Sequence, residues 1–594
     1  MYHQLYTRWA EEFDREHVLT EYPRPSMVRD SYENLNGEWE YAIRREEMLP
    51  ETYDGTILVP FSPEAVLSGV EKTVYPEDVL HYRRSFVMER LEGRRALLHF
   101  GAVDQSCRIY INQKLAGVHE GGYLPFTLDI TELVTEGENI LQAVVRDCTD
   151  TSFHARGKQK LDRGGMFYQA QSGIWQTVWM EIVPDRYISR LKITPCFDEG
   201  TVNVRVFGSV RDDMEVRIRV LDGASVIAET TGRQDTVLRI EVPDFEAWSP
   251  KHPRLYDLKI EMGEDEVRSY FAMRKCSVGR DRNGILRFML NNRPYFHNGV
   301  LDQGYWPEGL YTAPCDDALV YDIKMMKKLG FNMIRKHSKI EPERWYYHCD
   351  RLGMLVWQDM VNGGTSYHMK FVCVLPNFWM KSGRLIKDNK YRAFSRQDEE
   401  GRREYYRELK AMTACLYNHP CIAAWVPFNE GWGQFNAAKA SALVKRLDPG
   451  RLVDEASGWF DQGGGDMYSI HNYWRKFRCR PWRDRVTALT EYGGYSWRIE
   501  GHSYCSEVYG YRKYDSMEAL TNGYKRLWER EIIPAVRKGL GGTVYTQLSD
   551  IEEEVNGILT YDRKIVKLKP DTVLGLNRRL YEEFRKCTGV AEAE

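Results

Sequence analysis

Two glutamates stand where an apolar strand runs out. In "CIAAWVPFNEGWG" a hydrophobic run delivers Asn429 and Glu430 into a glycine-rich turn, and "ALTEYGG" at 488–494 does the same with Glu491. Carboxyl groups on two strand tips suit cleavage of a glycosidic bond: one, as the acid, protonates the leaving oxygen, and the other lies across the anomeric carbon. At a separation of about 5–5.5 Å the second attacks the carbon directly and the anomeric configuration is retained. The like charge of Glu491 is expected to raise the pKa of Glu430 and keep it protonated for its acid role. Asn429 can hydrogen-bond a sugar hydroxyl, and Tyr473 can steady the nucleophile. A lone Glu at a strand end is more often a cap or an ion-pair partner. Its repetition turns the reading toward catalysis.

A scaffold must bring these tips together. After residue 280, short apolar runs alternate with helical or long connections: "YFHNGV", "FNMIRKH", "MLVWQD", "CIAAWVPFNE", "LVDEAS", "DMYSIHN", "ALTEYG" and "TVYTQLSD". Leu319, Ile323, Met326 and Leu329 fall on one face of a helix between the first two. Eight parallel strands close into a (β/α)8 TIM barrel with its active site at their C-terminal ends. Strands four and seven, which carry Glu430 and Glu491, then face each other across the mouth. His337, Asp359, His471 and Asp550 end other strands. His337, His471, Asp302 and Trp459 are expected to touch substrate, with Asp302 alternatively capping the "DQGYW" turn. Arg335 reads equally well as a sugar contact or a core arginine, and Trp306, Trp432 and Trp474 can stack on sugar faces but read more readily as wall or core. The long segment 360–400 is expected to form a lid or rim.

The preceding residues read as β structure. In "CRIYIN", Ile109 and Ile111 alternate with Arg108 and Tyr110, the period of a half-buried strand. An antiparallel sandwich is expected over residues 1–186, an immunoglobulin-like sandwich over 187–279 and the barrel over 280–594.

Composition excludes several classes. A formal charge of -3 gives no electrostatic case for nucleic acid or an anionic membrane. No run of eighteen apolar residues and no leader-like segment is present, so a cytoplasmic location is expected, although a trimmed leader would look the same. The 12 cysteines lack a C-x-x-C pair and read as core thiols. No H-E-x-x-H, G-x-S-x-G or phosphate-loop spacing occurs, so no metal or other cofactor is expected.

At the two glutamates the sequence resembles the family 2 glycoside hydrolases, which include β-galactosidases, β-glucuronidases and β-mannosidases. "YPRPSMVRDSYENLNGEWEY", "YRRSFV" and "SGIWQTVWMEIV" are similar to signatures of that family's sugar-binding jelly roll. "NHPCIAAWVPFNEGWG" resembles the acid/base segment and "LTEYGG" the nucleophile segment. The resemblance implies Glu430 as acid/base, Glu491 as nucleophile, Asn429 at the sugar 2-hydroxyl, and an order of jelly roll, immunoglobulin-like sandwich and barrel. It also implies an exo-acting retaining β-glycosidase that takes a small glycoside or oligosaccharide, and a homo-oligomer is compatible with it.

Departures from the family pattern bear on the sugar. Tyr545 is read in place of the usual tryptophan of strand eight. "VNGILTYDRK" lacks the Asn-x-Lys pair of glucuronidases, leaving Arg563 or Lys564 as substitutes. The acids of "QLSDIEEEVNG" are expected to favour a neutral or cationic sugar. A β-galactosidase is the first expectation, with β-glucuronidase, β-galacturonidase, β-mannosidase and α-L-arabinopyranosidase as alternatives. A catalytically inactive carbohydrate-binding protein is the alternative from another class.

Overall fold

The computed structural model describes residues 2–376 and 386–590. Eight parallel strands form the barrel wall: β1 (His297–Asp302), β2 (Met333–Lys336), β3 (Leu355–Asp359), β4 (Ile422–Val426), β5 (Leu452–Val453), β6 (Met467–Asn472), β7 (Val486–Gly493) and β8 (Leu540–Thr546). Each matches one of the expected runs. Ladders join β5-β4-β3-β2-β1-β8-β7-β6 in that order. The seam between β5 and β6 is held instead by Val453 N–H donating to Asp466 Oδ2 at 2.8 Å and Ser469 Oγ donating to Asp454 Oδ1 at 2.5 Å.

These strands are apolar throughout because helices cover the wall and side chains fill its interior. Every residue of β4 and β7 is buried. Helix α1 (Asp316–Lys328) turns Leu319, Ile323 and Met326 inward, and α2 (Glu343–Leu352) buries Trp345 and Cys349. Helix α3 (Glu399–Cys415), which leads into β4, is capped by Asp398 accepting from Gly401 N–H.

Upstream of the barrel, antiparallel sheets of four and six strands face each other over a core that includes Trp39, Tyr82, Ile109, Leu141 and Ile174. Residues 188–271 form sheets of three and four strands around Val204, Ile218, Ile260 and Phe271. Tyr123, Tyr168 and Trp175 from the first sandwich and Trp248 from the second share one apolar cluster with the barrel. A fully buried aromatic contributes about 1.5–3 kcal/mol, so this shared core fixes the first sandwich against the barrel. That docking matters because residues 156–169 pass over the barrel mouth. None of the 12 cysteines, all among the described residues, forms a disulfide. Among the described residues, no helix is long and apolar enough to cross a membrane.

Candidate active site

Glu430 sits in the turn after β4 with a left-handed backbone, φ 52°. That conformation is costly for a residue with a side chain, by about 1–3 kcal/mol. It is held by Glu430 N–H donating to Ser457 O at 2.9 Å. The following turn requires Gly433, whose added Cβ would lie 2.0 Å from Gly363 O. The turn thus aims the Glu430 carboxyl inward, leaving the residue 7% exposed.

Glu491 projects from β7 on the opposite side of the mouth. Its Oε1 accepts from Arg335 Nη1 at 3.2 Å and its Oε2 from the Tyr473 hydroxyl at 2.6 Å. His471 Nδ1 lies between the acids, 2.6 Å from Glu430 Oε1 and 3.4 Å from Glu491 Oε2. One oxygen of each glutamate and this nitrogen all lie within 4.8 Å of one another. Three such atoms have the spacing of metal ligands, but hydrogen bonding already accounts for their approach.

Burial pushes the Glu430 carboxyl up to about 7; the Lys158 and Arg335 charges oppose the shift, and Glu554 adds to it. The expected elevation therefore has a different main cause from the charge of Glu491. Burial also lowers His471 to about 4, so its ring is neutral near pH 7. Protonated Glu430 can then donate to Nδ1 while Nε2–H donates to Ser457 Oγ at 3.1 Å. Ser457 Oγ donates in turn to Thr490 Oγ1 at 3.0 Å.

Arg335 organises the floor. It forms two bonds to Asp359 at 2.9 and 3.0 Å and donates to Asn429 Oδ1 at 2.8 Å. With its oxygen taken, Asn429 keeps a buried Nδ2 that has no partner. Asp359 also binds His337 Nδ1 at 2.6 Å. Burial lowers the His337 pKa, so Nδ1–H donates to Asp359 and Nε2 is left as an acceptor. Arg335→Met would leave two buried carboxylates without their cation. It should lower the unfolding free energy by about 3–5 kcal/mol, measured by chemical denaturation.

Other expected contacts go elsewhere. Asp302 belongs to the layer outside the barrel interior, where it binds Lys336 Nζ at 2.5 Å and Gly304 N–H at 2.9 Å. Of its two expected roles, it performs the turn cap. Tyr545 also faces outward, packing edge-on against Tyr524 of the helix layer at 5.0 Å. The mouth-facing residue at the end of β8 is Thr546, whose Oγ1 lies 2.9 Å from the Tyr473 hydroxyl. A slip of one residue reverses which side a strand residue faces, and this separates the expectation for Tyr545 from the structure. Trp459 borders the site, with its indole N–H donating to Val372 O and Glu430 O at 2.9 and 3.1 Å. Trp306 is buried under Arg563, whereas Trp474 is exposed. Within 360–400, residues 377–385 lie outside the described residues; Phe371 stacks on Phe460 at 5.3 Å.

The acids after β8 all hold partners inside the protein, Asp550 and Glu552 with cations and Glu553 and Glu554 with neutral donors, so part of the negative charge behind the expectation of a neutral or cationic sugar is neutralised. Asp550 holds Lys567 at 2.6 Å, and Glu552 accepts from Gln169 N–H and Arg163 at 2.9 and 3.2 Å. Glu553 accepts from Gly165 N–H at 2.6 Å, and Glu554 accepts from the Tyr168 hydroxyl. Nor do the expected substitutes for the missing lysine face the pocket: Arg563 pairs with Asp322 at 3.2 Å and Lys564 with Glu11 at 2.5 Å. A separate cleft includes Arg24 and Arg344, which are paired with Glu181 and Asp316. Neither catalytic candidate lines it.

The site's residues are scattered, but the domain order is characteristic. Residues 32–184 match the glycosyl hydrolases family 2 sugar binding domain, 186–274 match glycosyl hydrolases family 2, and 286–476 match its TIM barrel domain. The last match includes Glu430 and stops before Glu491. A putative beta-glucuronidase of Formosa agariphila is 26% identical over 55% of this chain and 41% of its own length. A beta-galactosidase of Thermoanaerobacter pseudethanolicus is 24% identical over 62% of this chain and 47% of its own. The chain thus spans less than half the length of these curated relatives. Among solved structures, the beta-D-glucuronidase of Dictyoglomus thermophilum superposes with a TM-score of 0.71 at 18% identity, covering 94% of this chain and 98% of that one. A beta-galacturonidase of Eisenbergiella tayi does so with a TM-score of 0.68 at 18% identity and the same coverage.

Proposed function

The chain belongs to glycosyl hydrolases family 2, and from that premise we propose that it is an exo-acting, retaining β-glycosidase working by double displacement. The observation that carries the reading is that one carboxylate oxygen of Glu430 and one of Glu491 lie within 4.8 Å of each other. A nearest-oxygen gap of that size accords with direct attack at one anomeric carbon, where the carboxyls stand about 5–5.5 Å apart, better than with the about 6.5–9.5 Å of an inverting enzyme.

In the first step a Glu491 oxygen bonds to the anomeric carbon as the bond to the aglycone oxygen breaks. Glu430 gives its proton to that oxygen. In the second, Glu430 as carboxylate takes a proton from water, whose oxygen displaces Glu491 and restores the original configuration. Tyr473 and Arg335 hold Glu491 in place through its two oxygens. The free Asn429 Nδ2 and His337 Nε2 are suited to sugar hydroxyls. The catalytic unit is assigned to 280–594, with 1–186 and 187–279 as its two β units.

By sequence alone the sugar is galactose first, with glucuronide, galacturonide, mannoside and α-L-arabinopyranoside as alternatives. A panel of nitrophenyl glycosides tests the reading: turnover of at least one supports it, and inertness toward all would favour a binding protein. Because Glu430 acts as an acid and its carboxyl is raised to about 7, activity should fall as pH rises through that value. A profile of kcat/KM against pH checks this; an unchanged rate to pH 9 would contradict the acid assignment.

A further inference from the structure

Lys158 comes from the first β sandwich, yet its ammonium lies over the barrel mouth. It is 6% exposed. Its Nζ sits 5.7 Å from the centre of the Tyr168 ring and 5.5 Å from that of Trp432. No carboxylate approaches within ion-pair distance and no acceptor within hydrogen-bonding distance among the described residues. Its charge nevertheless reaches both Glu430 and His337. The backbone that presents it is fixed. Arg156 and Gly157 N–H both donate to Asn362 O at 3.0 Å, and Asn362 Nδ2 donates back to Gly157 O at 3.1 Å. Gly157 itself has φ 62°, and an added Cβ would lie 2.7 Å from Ser338 O.

A cation stripped of water needs a counter-charge. Ring faces compensate in part, but the nearby acids Glu552, Glu553 and Glu554 are committed to Arg163, Gly165 and Tyr168. The missing partner is one that a ligand would bring. We propose that Lys158 is a specificity residue that binds an anionic substituent, carboxylate or sulfate, on the terminal sugar held between Glu430 and Glu491. The proposal rests on the glycosidase reading and replaces galactose with an acidic sugar as the preferred substrate. It also supplies, from another domain, a cation for a site that lacks the barrel Asn-x-Lys pair.

The test pairs matched nitrophenyl substrates: β-glucuronide with β-glucoside, and β-galacturonide and β-galactoside 6-sulfate with β-galactoside. The wild type should favour at least one acidic member over its neutral partner, and the arm preferred separates carboxylate from sulfate. Lys158→Met should reduce kcat/KM for that acidic substrate by about 10- to 100-fold, the scale of a lost charged hydrogen bond, while changing the neutral partner less than about 3-fold. Lys158→Arg should restore part of the loss, which a misfolded Met variant would not explain. A wild type that prefers the neutral members would overturn the proposal. So would an equal loss on both members, or a Met variant that only shifts the pH profile on every substrate. Inertness of the wild type toward the whole panel would overturn the hydrolase reading itself.

Discussion

Glu491→Gln should lower kcat on aryl β-glycosides by about 10⁴-fold or more, the scale on which a catalytic unit fails when its nucleophile system is disabled. The amide oxygen can accept from Arg335, and the amide N–H can donate to the Tyr473 hydroxyl oxygen, so the variant should stay folded. What disappears is the negative oxygen able to bond the anomeric carbon. Steady-state kinetics with a 2,4-dinitrophenyl glycoside measures it. Near wild-type turnover would remove Glu491 from the chemistry.

Glu430→Gly should behave differently for different leaving groups. Phenols of high pKa need a proton as they depart, and their hydrolysis should slow by about 10²–10⁴-fold, the usual scale of general acid catalysis. A dinitrophenolate needs none, so its glycosyl-enzyme should form and then persist because no base activates water. Azide needs no base and should enter the space left by the carboxylate, raising turnover and yielding a β-glycosyl azide. Glycine tolerates the left-handed backbone at this position, so stability should not obscure the result. Lack of rescue at high azide, with substrate bound normally, would contradict the acid/base role.

Local sequence carried the wall of the barrel well, because buried parallel strands are continuous apolar runs bounded by turns. Glu430 and Glu491 were legible for the same reason: each follows such a run directly. Facing was less legible. Asp302 and Tyr545 lie at the ends of strands that were correctly expected, but their side chains point out of the barrel, and register decides that. The hydrogen bonds of Glu552, Glu553 and Glu554 are hidden from the sequence because their partners lie in the loop 163–169, in another domain. Lys158 had no signal at all, since nothing near it in sequence distinguishes it from a solvated lysine. Only the docking of the first sandwich makes it part of the mouth. The raised pKa of Glu430 was anticipated from charge repulsion, whereas burial dominates it.

The central claim is that Glu430 and Glu491 act across one anomeric carbon, with Glu491 forming the covalent bond. Its most direct test is to incubate the enzyme with a 2-deoxy-2-fluoro β-glycosyl fluoride of the preferred sugar, digest it and map the labelled peptide by mass spectrometry. The account predicts one glycosyl adduct per chain, on Glu491, formed as activity is lost. A label on another residue, or inactivation without a covalent adduct, would contradict it.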